Sequence, residues 1–146
     1  FFDPNNIRET ITIDIGTVDG LQDGDAVLAR GYLVGKVKNA VKHTSRVLLI
    51  TDPESAIPAV IDGNGTTGIA KGKIGNGLIL DQVPQSEKVK SGDIVTTSGL
   101  GGQLPKGLII GRVETVKQIS GSIFQEIILR PMVDLNLLDK VMVIKG

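Results

Sequence analysis

A serine, a histidine and an aspartate are the side chains with which a chain lacking cysteine can attempt acyl transfer, and here they occur in a workable order. Ser98 sits in "TTSGLGGQLPKG" (96–107), beside Gly99 and ahead of the pair Gly101-Gly102. His43, the single histidine, comes earlier, with Asp52 and Asp81 between them as candidate third members. A serine hydroxyl attacks a carbonyl at neutral pH only when an adjacent base takes its proton and a third group orients that base. The local pattern argues against this use. Ser98 is in neither Gly-x-Ser-x-Gly nor Gly-Asp-Ser-Gly-Gly: Thr97 replaces the acidic neighbour, and Gly101-Gly102 come one residue late. His43 lies in "KHTSR", a polar turn-like stretch where a solvated histidine is the ordinary outcome. Gly99, Gly101, Gly102 and Gly107 suit turns that need positive φ. Pro105 ends strand pairing, and Ser98 suits a side-chain bond to nearby backbone. The stretch therefore reads as a structural turn, with Leu100, Leu104 and Leu108 as a candidate apolar patch for contact with another protein.

Other chemistries find less support. Without cysteine there is neither a disulfide framework nor a thiolate metal site. No acidic cluster has calcium-loop spacing, and the glycine patterns lack the strand-to-helix context of a phosphate cradle. No metal or cofactor is expected. Sixteen basic and sixteen acidic residues give zero formal charge, which argues against nucleic acid as a partner. The aromatics are Phe1, Phe2, Phe124 and Tyr32, too few for stacking on bases and, with no Trp, poor for stacking on sugars. A carbohydrate-binding module is thereby disfavoured. No apolar run reaches the roughly 18 residues of a membrane span. The first residue is Phe1, so a fragment or processed product is expected.

The elements that must position these residues are short strands. Nineteen glycines in 146 residues are about twice the usual ~7% share, and Val, Ile and Thr abound. "TITIDIG" (10–16) alternates at period two, as a half-buried strand does. Further strands are expected in "GLQDGDAVL", "GYLVGKV", "SRVLLIT", "PAVID", "TGIAKG", "GLILDQV", "DIVTTSG", "GLIIGRVETV", "SIFQEIIL" and "DKVMVI". "DPES" (52–55) reads as a turn or helix start, and "DLNLLDK" (134–140) is the best candidate for a short helix. The fold class is all-β.

The two halves resemble each other. "LQDGDAV" (21–27) matches "VKSGDIV" (89–95), "GYLVGKV" (31–37) matches "GLIIGRV" (107–113), and "RVLLITDP" (46–53) lies opposite "QEIILRP" (125–131). Gly20, Gly24 and Gly92 are the turn residues of these units. A duplicated β unit explains this order, and each copy can close into a small barrel. The expected division is 1–66 and 67–146, with the C-terminal strand free to pack back on the first part. Between matched segments the first copy has "LAR" (28–30) and the second has "TTSGLGGQLPK" (96–106), so the serine-bearing stretch is an insertion in one copy. Loops lengthened on a constant scaffold often carry function. Two barrels, with a histidine in the first and a serine in the second, are similar to trypsin-like serine proteases. That remains the enzyme alternative, with Ser98 and His43, although such proteases are usually well over this length.

"PNNIRETITIDIGTVDGLQDGDAVLARGYLVGKV" (4–37), "TSRVLLITDP" (44–53) and above all "GDIVTTSGLGGQLPKGLIIGRV" (92–113) resemble the bacterial rod shape-determining MreC family. Family members often have an aromatic residue where Ile7 stands and an apolar one where Asp25 stands. The resemblance implies two small barrels without a catalytic triad. It implies a membrane-anchored protein with a coiled coil before this domain, which faces outward from the cytoplasmic membrane. It implies a scaffold of the elongation machinery that binds and activates a class B penicillin-binding protein, connects to MreD and MreB, and forms dimers or filaments. The missing anchor and coiled coil are then expected of an excised ectodomain.

Overall fold

In the computed structural model, which describes residues 9–75, 77–102 and 104–145, the chain is built from strands and tight turns. The strands are β1 (Thr10–Ile13), β2 (Ala26–Ala29), β3 (Tyr32–Ala40), β4 (Ser45–Leu49), β5 (Ala56–Ile61), β6 (Thr67–Lys73), β7 (Gly77–Asp81), β8 (Ile94–Thr97), β9 (Ile109–Lys117), β10 (Glu126–Pro131) and β11 (Met142–Ile144). The all-β class expected from the sequence is the one adopted. Ile7 lies outside the described residues. The stretch expected as a short helix holds one 3-10 turn, Leu135–Leu137, capped by the Asp134 carboxylate, which accepts from the Asn136 N–H at 2.9 Å.

The sequence repeat reappears as repeated hydrogen bonds. The Gly24 N–H donates to the Val37 carbonyl at 2.7 Å, and the Val37 N–H returns a bond to the Asp25 carbonyl at 2.8 Å. In the second copy Gly92 and Val113 share 2.7 Å, and Val113 and Asp93 share 2.8 Å. Each aspartate then closes its own turn, Asp25 on the Gln22 N–H and Asp93 on the Lys90 N–H, both at 2.9 Å. Gly24 and Gly92 have φ of 97° and 96°, a region costly for any residue with a Cβ. The β2–β3–β4 and β8–β9–β10 meanders follow, each with register shifts at corresponding places.

The copies do not end alike. Strands β10-β7-β6-β5-β8-β9 form a closed barrel, whereas β1-β4-β3-β2-β11 form a five-stranded sheet. Among the described residues, then, one of the two units closes. The change from sheet to barrel falls between Leu49 and Ala56, not at 66/67. Residue 66 lies in the turn joining β5 to β6, which pair with each other inside the barrel. β5 belongs to the barrel because both its neighbours, β6 and β8, are there. The last strand, β11, returns to the sheet and pairs with β2, Val143 opposite Val27.

All four residues of β2 are buried. Successive strand residues face opposite sides, so Ala26 and Leu28 join Leu33, Ile57, Ile61, Leu78 and Ile110 in a core shared with the barrel. Val27 and Ala29 join Val34, Val37, Val47 and Leu49 on the other face. Leu135 packs against both cores. Burial at ~25 cal/mol per Å² of apolar surface makes this shared layer the main tie between sheet and barrel.

Candidate functional site

The inserted loop leaves β8 at Thr97 and returns to β9, and Thr97 holds its neck. Its N–H donates to the Leu108 carbonyl at 2.8 Å, and its carbonyl accepts from the Gly107 N–H at 2.9 Å. Its hydroxyl donates to the Pro105 carbonyl at 2.6 Å and accepts from the Leu108 N–H at 2.9 Å. Thr97 is buried, so these bonds form away from water, where an unmade one is costly. Inside the loop, Gly102 N–H bonds the Gly99 carbonyl at 3.3 Å. Gly99, Gly101, Gly102 and Gly107 all have φ between 71° and 90°, and Gly20, closing an earlier 3-10 turn, has 89°. Pro105 supplies the carbonyl that the Thr97 hydroxyl meets.

Ser98 does local work. Its hydroxyl oxygen accepts from the Leu100 N–H at 3.2 Å, and its own N–H donates to the Pro58 carbonyl at 3.0 Å. No hydrogen bond joins Ser98 to His43 among the described residues. His43 is exposed at the turn between β3 and β4, on the five-stranded sheet, while Ser98 follows a barrel strand. The candidate third members are occupied differently. Asp52 is fully buried where the chain passes from sheet to barrel. Its carboxylate accepts from the Glu9 N–H at 2.6 Å and the Glu54 N–H at 2.8 Å. Asp81 is half-exposed and lies 3.7 Å from the Lys71 ammonium on the next strand. Among the described residues, Ser98 and His43 thus lie on different sheets, and the carboxylates of Asp52 and Asp81 are engaged with other groups.

Glu9 stands at the same corner. Burial pushes its carboxyl above the usual range, the Thr51 hydroxyl pulls it down, and the Asp52 charge pushes it up. Among the described residues, no group of three His, Asp or Glu side chains gathers as metal ligands do.

The three leucines separate. Leu104 and Leu108 are half-buried against the barrel core, while Leu100 is 65% exposed at the loop tip. Between the loop and the start of β5 is a cavity of ≈ 260 Å³, lined by Ala56, Pro58, Leu100, Leu104 and, from the sheet, Lys36. The register Ala26–Lys36–Leu48 puts Lys36 on the sheet face turned toward the barrel. Sequence reasoning passed over Thr97, Lys36 and Ala56. The basic residue recurring in "GKV" and "GRV" was a readable signal for Lys36. Nothing local distinguishes Thr97 from Thr96 beyond strand parity, and nothing marks Ala56.

The whole of 1–145 matches a family model described as rod shape-determining protein MreC, barrel core. The chain is 34% identical to the cell shape-determining protein MreC of Escherichia coli (strain K12) over 94% of its own length and 38% of that protein's. It thus spans well under half of this relative. The crystal structure of MreC from Pseudomonas aeruginosa superposes with a TM-score of 0.90 at 34% identity, covering 98% of this chain and 93% of that one. A complex between penicillin-binding protein PBP2 and MreC from Helicobacter pylori contains the same fold, with a TM-score of 0.76 at 18% identity over 98% of this chain and 90% of that one.

Proposed function

This chain belongs to the rod shape-determining MreC family, and from that premise we propose that it is the extracytoplasmic β domain of a non-catalytic scaffold for cell elongation. Its partner on this reading is a class B penicillin-binding protein, which it binds and switches on. The observation that supports the reading is the Helicobacter pylori complex, in which an MreC of the same fold is bound to penicillin-binding protein PBP2. The full-length protein would be membrane-anchored, connected to MreD and MreB, and self-associated as a dimer or filament. No helix of the described residues is long and apolar enough to cross a membrane.

The mechanism is binding energy spent on a conformational equilibrium. A scaffold raises an enzyme's activity only by binding its active conformation more tightly than its inactive one. Moving an equilibrium from 1:99 to 99:1 takes a preference of about 10⁴-fold. That demands a contact surface held in place, and the bonds from buried Thr97 to Pro105 and Leu108 at the loop's neck support this reading. The inserted loop with Leu100 at its tip is the candidate surface. Ser98, with its hydroxyl oxygen accepting from Leu100, acts as a turn residue.

The test is calorimetric titration of this domain into the soluble extracytoplasmic part of the host's elongation-specific class B penicillin-binding protein. Saturable binding with a defined stoichiometry supports the scaffold. Absence of heat at high micromolar concentration, together with labelling of Ser98 by a serine-reactive probe, would favour the hydrolase alternative over the scaffold.

A further inference from the structure

The cavity beside the inserted loop has features that a simple turn does not require. Along β5 the backbone groups alternate in direction. Odd residues face β6: the Ser55 carbonyl accepts from Gly72 at 3.1 Å, and the Ile61 N–H donates to Thr66 at 2.8 Å. Even residues face β8: the Asp62 N–H donates to Ile94 at 2.8 Å, and the Pro58 carbonyl accepts from Ser98 at 3.0 Å. The next even residue is Ala56. Its N–H and C=O therefore point to the β8 side, where β8 has already ended at Thr97 and the chain has turned away into the loop. Ala56 is exposed, and it lines the cavity.

Opposite this short free edge stands Lys36. It is half-buried on the barrel-facing side of the sheet, and its ammonium makes no ion pair or hydrogen bond among the described residues. The acidic side chains on its other flank are engaged elsewhere. Glu54 pairs with Lys38 at 2.9 Å, and Asp23 accepts from the Ala40 N–H at 2.9 Å. Leu100 and Leu104 give the apolar wall. A backbone donor and acceptor, an unpaired ammonium and an apolar wall are thus brought together at one cleft.

We propose that this cleft seats an extended segment of the penicillin-binding partner, in which an apolar side chain is followed closely by a carboxylate. The segment pairs with Ala56 as a short added strand, lays its apolar side chain against Leu100 and Leu104, and gives its carboxylate to Lys36. Charge complementarity selects this occupant, since an ammonium that is half-buried and unpaired favours an acidic partner over a purely apolar one. The inference rests on the scaffold reading above.

The experiment compares wild type with Lys36→Glu, Lys36→Arg, Leu100→Asp and Ala56→Pro in the same titration, each first checked for an unchanged melting curve. Ala56→Pro removes an N–H that the β5–β6 ladder does not use. The expected result is binding weakened about tenfold or more by Lys36→Glu, Leu100→Asp and Ala56→Pro, with Lys36→Arg close to wild type. Wild-type binding with all four variants equal to it would place the seat elsewhere, overturning the inference and leaving the scaffold reading intact. Failure of wild type to bind would remove both. If the variants alter only sedimentation of the domain with itself, the occupant is a second copy, and the assignment to the penicillin-binding partner is wrong.

Discussion

Thr97 and Ser98 are adjacent hydroxyl residues with opposite roles. Thr97 is buried and its hydroxyl serves two backbone groups, whereas the Ser98 oxygen serves one exposed N–H. Replacing Thr97 by Val leaves the Leu108 N–H and the Pro105 carbonyl without that partner, at about 1–3 kcal/mol. Ser98→Ala removes one weak, solvated bond and should cost under ~1 kcal/mol. Denaturant titration checks the order; equal losses would mean that the loop is not held at its neck by Thr97. Glu9 gives a pH prediction. Its carboxyl is raised in the folded chain, so from about pH 4.5 upward the folded state binds more protons than the unfolded one. Its stabilising contribution is full below that range and is lost as pH rises through the folded value. Glu9→Gln should flatten this part of the stability–pH curve, measured by melting at a series of pH values. A slope unchanged by the substitution would assign it to another group.

At the scale of elements, much was legible because strands announce themselves by period and turns by glycine. The "TITI" alternation gave β1, and the recurring Gly-Asp gave two turns with the same bonds. What was not legible was pairing between distant segments. "PAVID" reads as a strand, but nothing in it says that its neighbours are β6 and β8 and not β4. Composition alone therefore puts the boundary at the glycine-rich turn after β5, since a turn inside a hairpin and a linker between units share the same composition. The glycines inside strands have a different reason from those in turns. A Cβ on Gly111 would stand 2.5 Å from the Arg130 carbonyl oxygen on β10, and one on Gly35 would stand 2.4 Å from that of Leu48 on β4. Gly111→Ala should force the β9–β10 pair apart, at about 1–3 kcal/mol or more. The loop position Gly101, with open space and φ of 82°, should lose only the ~1–2 kcal/mol of a left-handed backbone. Urea midpoints for the two alanine variants test this; a Gly111→Ala variant as stable as wild type would show that the strands can part without loss.

For the whole molecule, sheet and barrel share one core and should unfold together. Ala26, Leu28 and Leu33 of the sheet sit in the same core as the barrel residues, and β11 ties the end of the chain back to β2. The expected result is one calorimetric transition with equal calorimetric and van't Hoff enthalpies, and two separable transitions would contradict the shared core. A piece ending at residue 66 should not fold, because it carries β5 without β6 or β8 and lacks β11. The site was only partly readable for the same reason. The insertion and its leucines are visible in the sequence, but Ala56 reaches the loop only through the pairing of β5 with β8, and Lys36 only through the packing of sheet on barrel.

The most direct test of the scaffold account is the rate at which the class B penicillin-binding protein is acylated by a labelled β-lactam as this domain is added. Binding that favours the active conformation predicts a rate that rises and saturates along the calorimetric binding curve, unaffected by Ser98→Ala. Saturable binding with no change in rate would contradict activation by a conformational preference, and a rise that disappears with Ser98→Ala would contradict a role without catalysis.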